Sequence, residues 1–147
     1  MRSLPELERA ISAVSPHPDS PSAARALLEI GEEILEHWIV AHDNTPTSDT
    51  REGFRLLALH RQATKGDPSF NACRETCREL VYHFNLIVAD PEHAKAIYRL
   101  EMMRMVCNHL FLFVSGKLQV AGLGDFCCSS RPLRQAADTN MKMAKGA

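Results

Sequence analysis

The chain has 147 residues, 45% of them hydrophobic and 24% charged, with 17 Lys+Arg against 18 Asp+Glu. That length suits one hydrophobic core, and the apolar share excludes a chain that cannot collapse. A formal net charge of -1 speaks against a protein built to coat nucleic acid or an anionic membrane.

Punctuation residues divide the chain into helical blocks. Ser3 is placed to cap a first helix over residues 4–14, and three prolines within residues 15–21 stop it. Ser22 reads as the N-cap of a second helix running to about residue 41. A polar turn at residues 43–47 follows, and Ser48 or Asp49 opens a third helix to about residue 64. Asp67-Pro68 and Asp90-Pro91 share one signature, an N-cap followed by proline at the first helical position, where no intrahelical N–H is lost. They predict a fourth helix over residues 68–88 and a fifth over residues 91–115. Beyond Gly116 the pattern weakens to a loop and a tail in which Arg131, Arg134, Lys142 and Lys145 face Asp138 alone.

The fold class that follows is all-α, an antiparallel bundle of about five helices with a long apolar fifth. It is expected as one helical domain over residues 1–147: an N-terminal helix and Pro-rich loop to residue 21, the bundle core at 22–116, and a loop and basic tail at 117–147. At 100° per residue, Ala24, Leu27, Leu28, Gly31, Ile34, Leu35 and Trp38 share one face of the second helix, with His42 near its middle. Phe70, Cys73, Cys77, Leu80, Phe84 and Val88 do the same on the fourth. The fifth is apolar nearly all round, through Ile97, Leu100, Met103, Val106, Cys107, Leu110, Phe111 and Val114. Such a helix needs cover on several sides, from its neighbours or from a second subunit.

Glu6, Glu8 and Arg9 interrupt the start of the chain where a signal peptide would be apolar. The longest apolar run, residues 110–114, is far too short for a membrane span. A cytoplasmic location is therefore expected. There the 5 cysteines are expected reduced, without a disulfide framework.

Several residues carry chemistry worth placing. Cys73 and Cys77 sit four apart in the centre of an apolar stripe, and His42, His60, Cys107 or His109 from facing helices would complete a thiolate–imidazole site for a transition metal. Their ordinary reading, and the favoured one, is that reduced cysteines pack as small hydrophobes. His109, beside Asn108 in the most apolar helix, is the best candidate for a buried functional histidine, as a haem or metal ligand. Met102, Met103 and Met105 flank it.

Two Glu-x-x-x-His pairs, Glu33/His37 and Glu79/His83, stand behind these candidates. They recur in matching contexts, residues 33–38 and 79–84, an echo compatible with a duplicated hairpin but also with chance among amphipathic helices. Their spacing differs from the Glu-x-x-His of di-iron bundles, and Glu33 and His37 lie off the apolar face. Solvated i,i+4 pairs are their ordinary reading. Cys127 and Cys128, next to Arg131, have the surroundings of an oxidisable thiol pair.

No phosphate-binding loop, dinucleotide fingerprint, HExxH, GxSxG or EF-hand pattern occurs. Hydrolase-type catalysis has little support, and the balance leans away from an enzyme. The leading expectation is an interaction or accessory module that self-associates or binds a protein partner through the fifth helix. The alternatives are a metal- or haem-binding bundle with a redox, storage or sensing role, and a thiol redox sensor.

Overall fold

The computed structural model describes residues 1–15 and 19–123, and every structural statement below concerns those residues. The chain is all-helical. Its elements are α1 (Leu4–Ala13), α2 (Ser20–Ala41), α3 (Arg55–Gly66), a 3-10 helix (Pro68–Cys73), α4 (Arg74–Ala89) and α5 (Ala96–Ala121). The described residues include no strand.

Helix α1 opens on a reciprocal capping box. The Ser3 hydroxyl accepts from the Glu6 N–H at 3.2 Å, while the Glu6 carboxylate accepts from the Ser3 N–H at 2.8 Å. Asp19 caps α2 by accepting from the Ser22 N–H at 3.1 Å, so the helix begins earlier than a Ser22 cap would allow.

The third helix starts six residues later than Asp49 would place it. Arg51 and Phe54 exchange backbone hydrogen bonds at 3.0 Å across Glu52 and Gly53, both at positive φ (55° and 86°). Two left-handed residues make a tight reversal that no helix can contain. The segment before it is tied down by Gln62, which accepts from the Thr47 N–H and donates to the Thr45 carbonyl, each at 2.8 Å. Asp49 to Glu52 has the composition of a first helical turn, but these tertiary bonds outweigh a weak local preference.

Asp67-Pro68 does open an element, a 3-10 helix that hands over to α4 at Arg74. Asp90-Pro91 opens only a turn, and α5 begins at Ala96. At its other end α5 runs through Gly116 to Ala121. It stops where Gly122, at φ 75°, lets the Leu123 N–H reach back to the Leu118 carbonyl at 2.8 Å.

Helix α2 packs against α1, α3, α4 and α5, and α5 packs against α1, α2 and α4, around one continuous core. Gly31 marks the tightest convergence. A Cβ there would meet Leu56 at 3.2 Å, Leu80 at 3.4 Å and Leu110 at 3.7 Å, one side chain from each of three neighbouring helices. The expected stripe of α2 is buried from Ala24 to Trp38. On α4, Ile87 takes the buried place expected of Val88, which is exposed.

Helix α5 is not covered all round. Leu100, Met103, Val106, Cys107, Leu110, Phe111, Val114 and Leu118 face the core, while Ile97, Tyr98, Met105, Leu112 and Val120 face solvent. His109 lies among the exposed residues, contrary to the expectation of a buried ligand. Apolar residues fall on every side of α5 with polar ones between them, so its pattern carries little phase to say which side turns inward. None of the described helices is long and apolar enough to cross a membrane.

Candidate metal centre

Helix α3 and the 3-10 helix form a corner hinged on Asp67, which ends the first and caps the second by accepting from the Ser69 N–H at 3.0 Å. The 3-10 turn places the Phe70 carbonyl against α3, where it accepts from His60 Nε2 at 2.7 Å. The same oxygen accepts from the Cys73 thiol at 3.3 Å. Cys77, one turn further along in α4, completes the group. The three ligand atoms of His60, Cys73 and Cys77 all lie within 4.8 Å of one another, and all three residues are buried.

The environment splits the two thiols. Cys73 is brought down to about 6, chiefly by the hydrogen bond from the Cys77 thiol and then by His60, against burial pushing it up. Cys77 moves well upward, because its proton is held on Cys73 and because it is buried. Burial pulls the His60 imidazolium down, but the bonds to Cys73 and to the Phe70 carbonyl outweigh it, and its net direction is up. Cys73 is thus drawn toward the thiolate beside an imidazole whose own pKa is raised, the kind of arrangement that makes a cysteine a ligand or a nucleophile. A carbonyl only accepts, so Nε2 carries the proton here. Ligation through that nitrogen requires Nε2 to give up its proton.

A concavity of about 160 Å³ reaches His60 from the surface. Arg51, Arg61, Arg74 and Arg78 stand on its walls, with Arg78 held by Glu52 at 3.0 Å and Arg74 near Glu75 at 3.6 Å. Their field disfavours a bare cation at the mouth, so any affinity for one must come from the thiolates within.

The remaining candidates go elsewhere. Cys107 is buried near the triad but turns its thiol toward the Leu27 carbonyl, 3.7 Å away, and burial pushes it up to about 12. His42 is the exposed C-cap of α2. Its Nδ1 lies 2.9 Å from the Trp38 carbonyl and its ring 4.1 Å from the Trp38 ring, in a separate cleft of about 850 Å³. Lys117 lies over Trp38 in that cleft and pairs with Asp67 at 3.2 Å.

Glu33 and His37 clasp the N-terminus instead of a metal. Arg2 bonds the Glu33 carboxylate at 2.6 Å, and His37 Nε2 lies 2.6 Å from the Arg2 carbonyl. Glu79 is exposed, and half-buried His83 keeps an Nδ1 without a partner among the described residues. Burial lowers the His83 pKa accordingly. Cys127 and Cys128 lie outside the described residues.

Of four partners expected for the cysteine pair, the fold delivers one, His60. The Phe70 carbonyl, hub of the site, has no sequence signature, since any residue there supplies the same oxygen. Neither protein-family models, curated protein sequences nor solved structures give a match to this chain.

Proposed function

We propose that this protein is a helical bundle that binds a thiophilic transition metal, zinc foremost, through His60, Cys73 and Cys77. The observation that carries the reading is the convergence of two sulfurs and one imidazole nitrogen within 4.8 Å in a buried corner. Tetrahedral zinc, with bonds of about 2.3 Å to sulfur and about 2.0 Å to nitrogen, sets its donors roughly 3.5–3.8 Å apart. A contraction of at most about 1.3 Å brings this group into that range.

Thiolate and imidazole donors suit zinc or cuprous copper over magnesium or calcium. Loading displaces the Cys77 proton, which the metal-free site holds tightly, since a coordinating thiol is deprotonated outright. Among the described residues three side chains converge, which leaves a fourth tetrahedral position for a further ligand. The metal would pin α3 to α4 across the 3-10 corner, which makes a metal-stabilised or metal-sensing module the role best supported.

The test is titration of reduced, untagged protein with zinc and with cobalt. One zinc per chain is expected, with cobalt giving tetrahedral visible bands and thiolate charge-transfer absorption. Cys77→Ser should abolish both. Reduced, folded protein that takes up neither ion in competition with a weak chelator would end the reading.

A second reading, association through α5, is favoured by a different observation. Opposite its buried face, α5 presents Tyr98 (62% exposed), Met105 (55%), Leu112 (55%) and Val120 (88%) to solvent. Apolar exposure along one helix face marks an interaction surface.

A further inference from the structure

Deepening that second reading, we infer that the outer face of α5 is the seam of a homodimer, in which two copies of the chain pair through α5 in antiparallel fashion. Tyr98, Met102, Met105, His109, Leu112 and Gly116 follow one another at alternating intervals of four and three residues. That is the spacing of the a and d positions of a left-handed coiled coil, sustained for about 27 Å of helix. The helix is oriented for it. Leu100, Cys107 and Val114, diametrically opposite the seam, are buried in the chain's own core, while Tyr98, Met105, His109 and Leu112 are exposed.

The occupant is argued from self-complementarity. In an antiparallel pair each a residue meets a d residue of the other helix, and only one register uses all six seam positions. It sets Tyr98 against Gly116, Met102 against Leu112 and Met105 against His109. The bulkiest residue of the seam thereby meets the smallest. Gly116 has open space where a Cβ would stand, with no heavy atom within 4 Å. It is otherwise a residue that weakens a helix interior, so a partner's approach gives it a physical purpose.

The seam itself holds no Asp, Glu, Lys or Arg, and the flanks agree with this register. Arg99 comes opposite Phe113, Glu101 opposite Ser115, and Asn108 opposite its own symmetry mate. No charge faces its like. Parallel pairing would instead stack Tyr98 on Tyr98 and Gly116 on Gly116, crowding one layer and leaving a gap in another. A single-helix seam falls at the small end of protein interfaces, so a dissociation constant in the micromolar range, about 1–100 μM, is expected.

Sedimentation equilibrium of the full chain, reduced and at several concentrations, reads the association. A monomer–dimer equilibrium is expected, weakened at least about tenfold by Met105→Glu, which places a charge in a central layer. Because Met105 is exposed in the single chain, that variant should retain its circular dichroism.

Orientation is read by disulfide trapping in a Cys127→Ser, Cys128→Ser background. Asn108→Cys should give a covalent dimer and Tyr98→Cys should not. Trapping through Tyr98→Cys alone would overturn the antiparallel register while leaving α5 association standing. A monomer at every concentration, or a dimer indifferent to Met105→Glu, would overturn both. Tyr98, Met105 and Asn108 lie outside the His60–Cys73–Cys77 group, so their outcomes do not bear on the metal reading.

Discussion

Two histidines make nearly the same bond in this protein and come to different uses. His37 Nε2 lies 2.6 Å from the Arg2 carbonyl, and His60 Nε2 lies 2.7 Å from the Phe70 carbonyl. His37 is partly exposed, and the Arg2 residue it holds also bonds the Glu33 carboxylate. The imidazole there closes a clasp that holds the chain's first residues on α2. Around His60 the neighbours are two buried thiols, one of them brought down to about 6. Burial and the chemistry of the second neighbour, not the imidazole bond, separate a surface clasp from a ligand set.

The comparison can be broken at its strongest point first. Saturating zinc, at about a thousand times its dissociation constant, should stabilise the folded chain by roughly 4 kcal/mol. Cys73→Ser or Cys77→Ser should erase that gain, and His37→Ala should leave it intact. Thermal unfolding with and without zinc measures all three; equal stabilisation of the Cys77→Ser chain would remove the distinction.

Next comes the metal-free chain. His60→Ala empties a buried site and strips the Phe70 carbonyl of its main donor, at a cost of about 2–3 kcal/mol. His37→Ala, at the surface, should cost about 1 kcal/mol or less. Urea denaturation of both variants sharpens or cancels the contrast.

Acid separates the regions again. The side-chain bond from Arg2 holds the Glu33 carboxylate below its ordinary value of 4.5, against partial burial. A depressed carboxylate stabilises the fold above its unfolded value, and that contribution disappears as pH falls through the folded one. Glu33→Gln should therefore cost under about 1 kcal/mol at pH 7, given the exposure of the pair, and nothing in strong acid. Zinc affinity should respond nearer neutrality. The Cys77 proton must leave on binding, so affinity should fall by at least about tenfold per pH unit of acidification. A flat profile between pH 8 and 6 would mean Cys77 is not a ligand.

The helices of the core were legible because their signals are local. Ser3 and Glu6 sit at capping-box spacing, and the apolar period of α2 from Ala24 to Trp38 survives intact in the fold. Asp67-Pro68 carries a start signal, and it opens a 3-10 helix. Two expected helix starts give way to other backbone bonds. Asp49 to Glu52 and Pro91 to Lys95 have helical composition, but Gln62 ties the backbone ahead of the first segment and a turn closes the second. Cys73 and Cys77 were recognisable as a pair; their choice of His60 over His42 and His109 was not.

The order of apolar and capping residues, acting through contacts three and four positions apart, was enough to determine an all-helical chain and the inward face of α2. What it left undecided depended on residues distant along the chain: which side of α5 turns to water, and which histidine meets the two thiols. Those choices fell to packing. The 3-10 corner carries Cys73 and Cys77 onto His60, and the covering of α5 by α1, α2 and α4 leaves His109 outside.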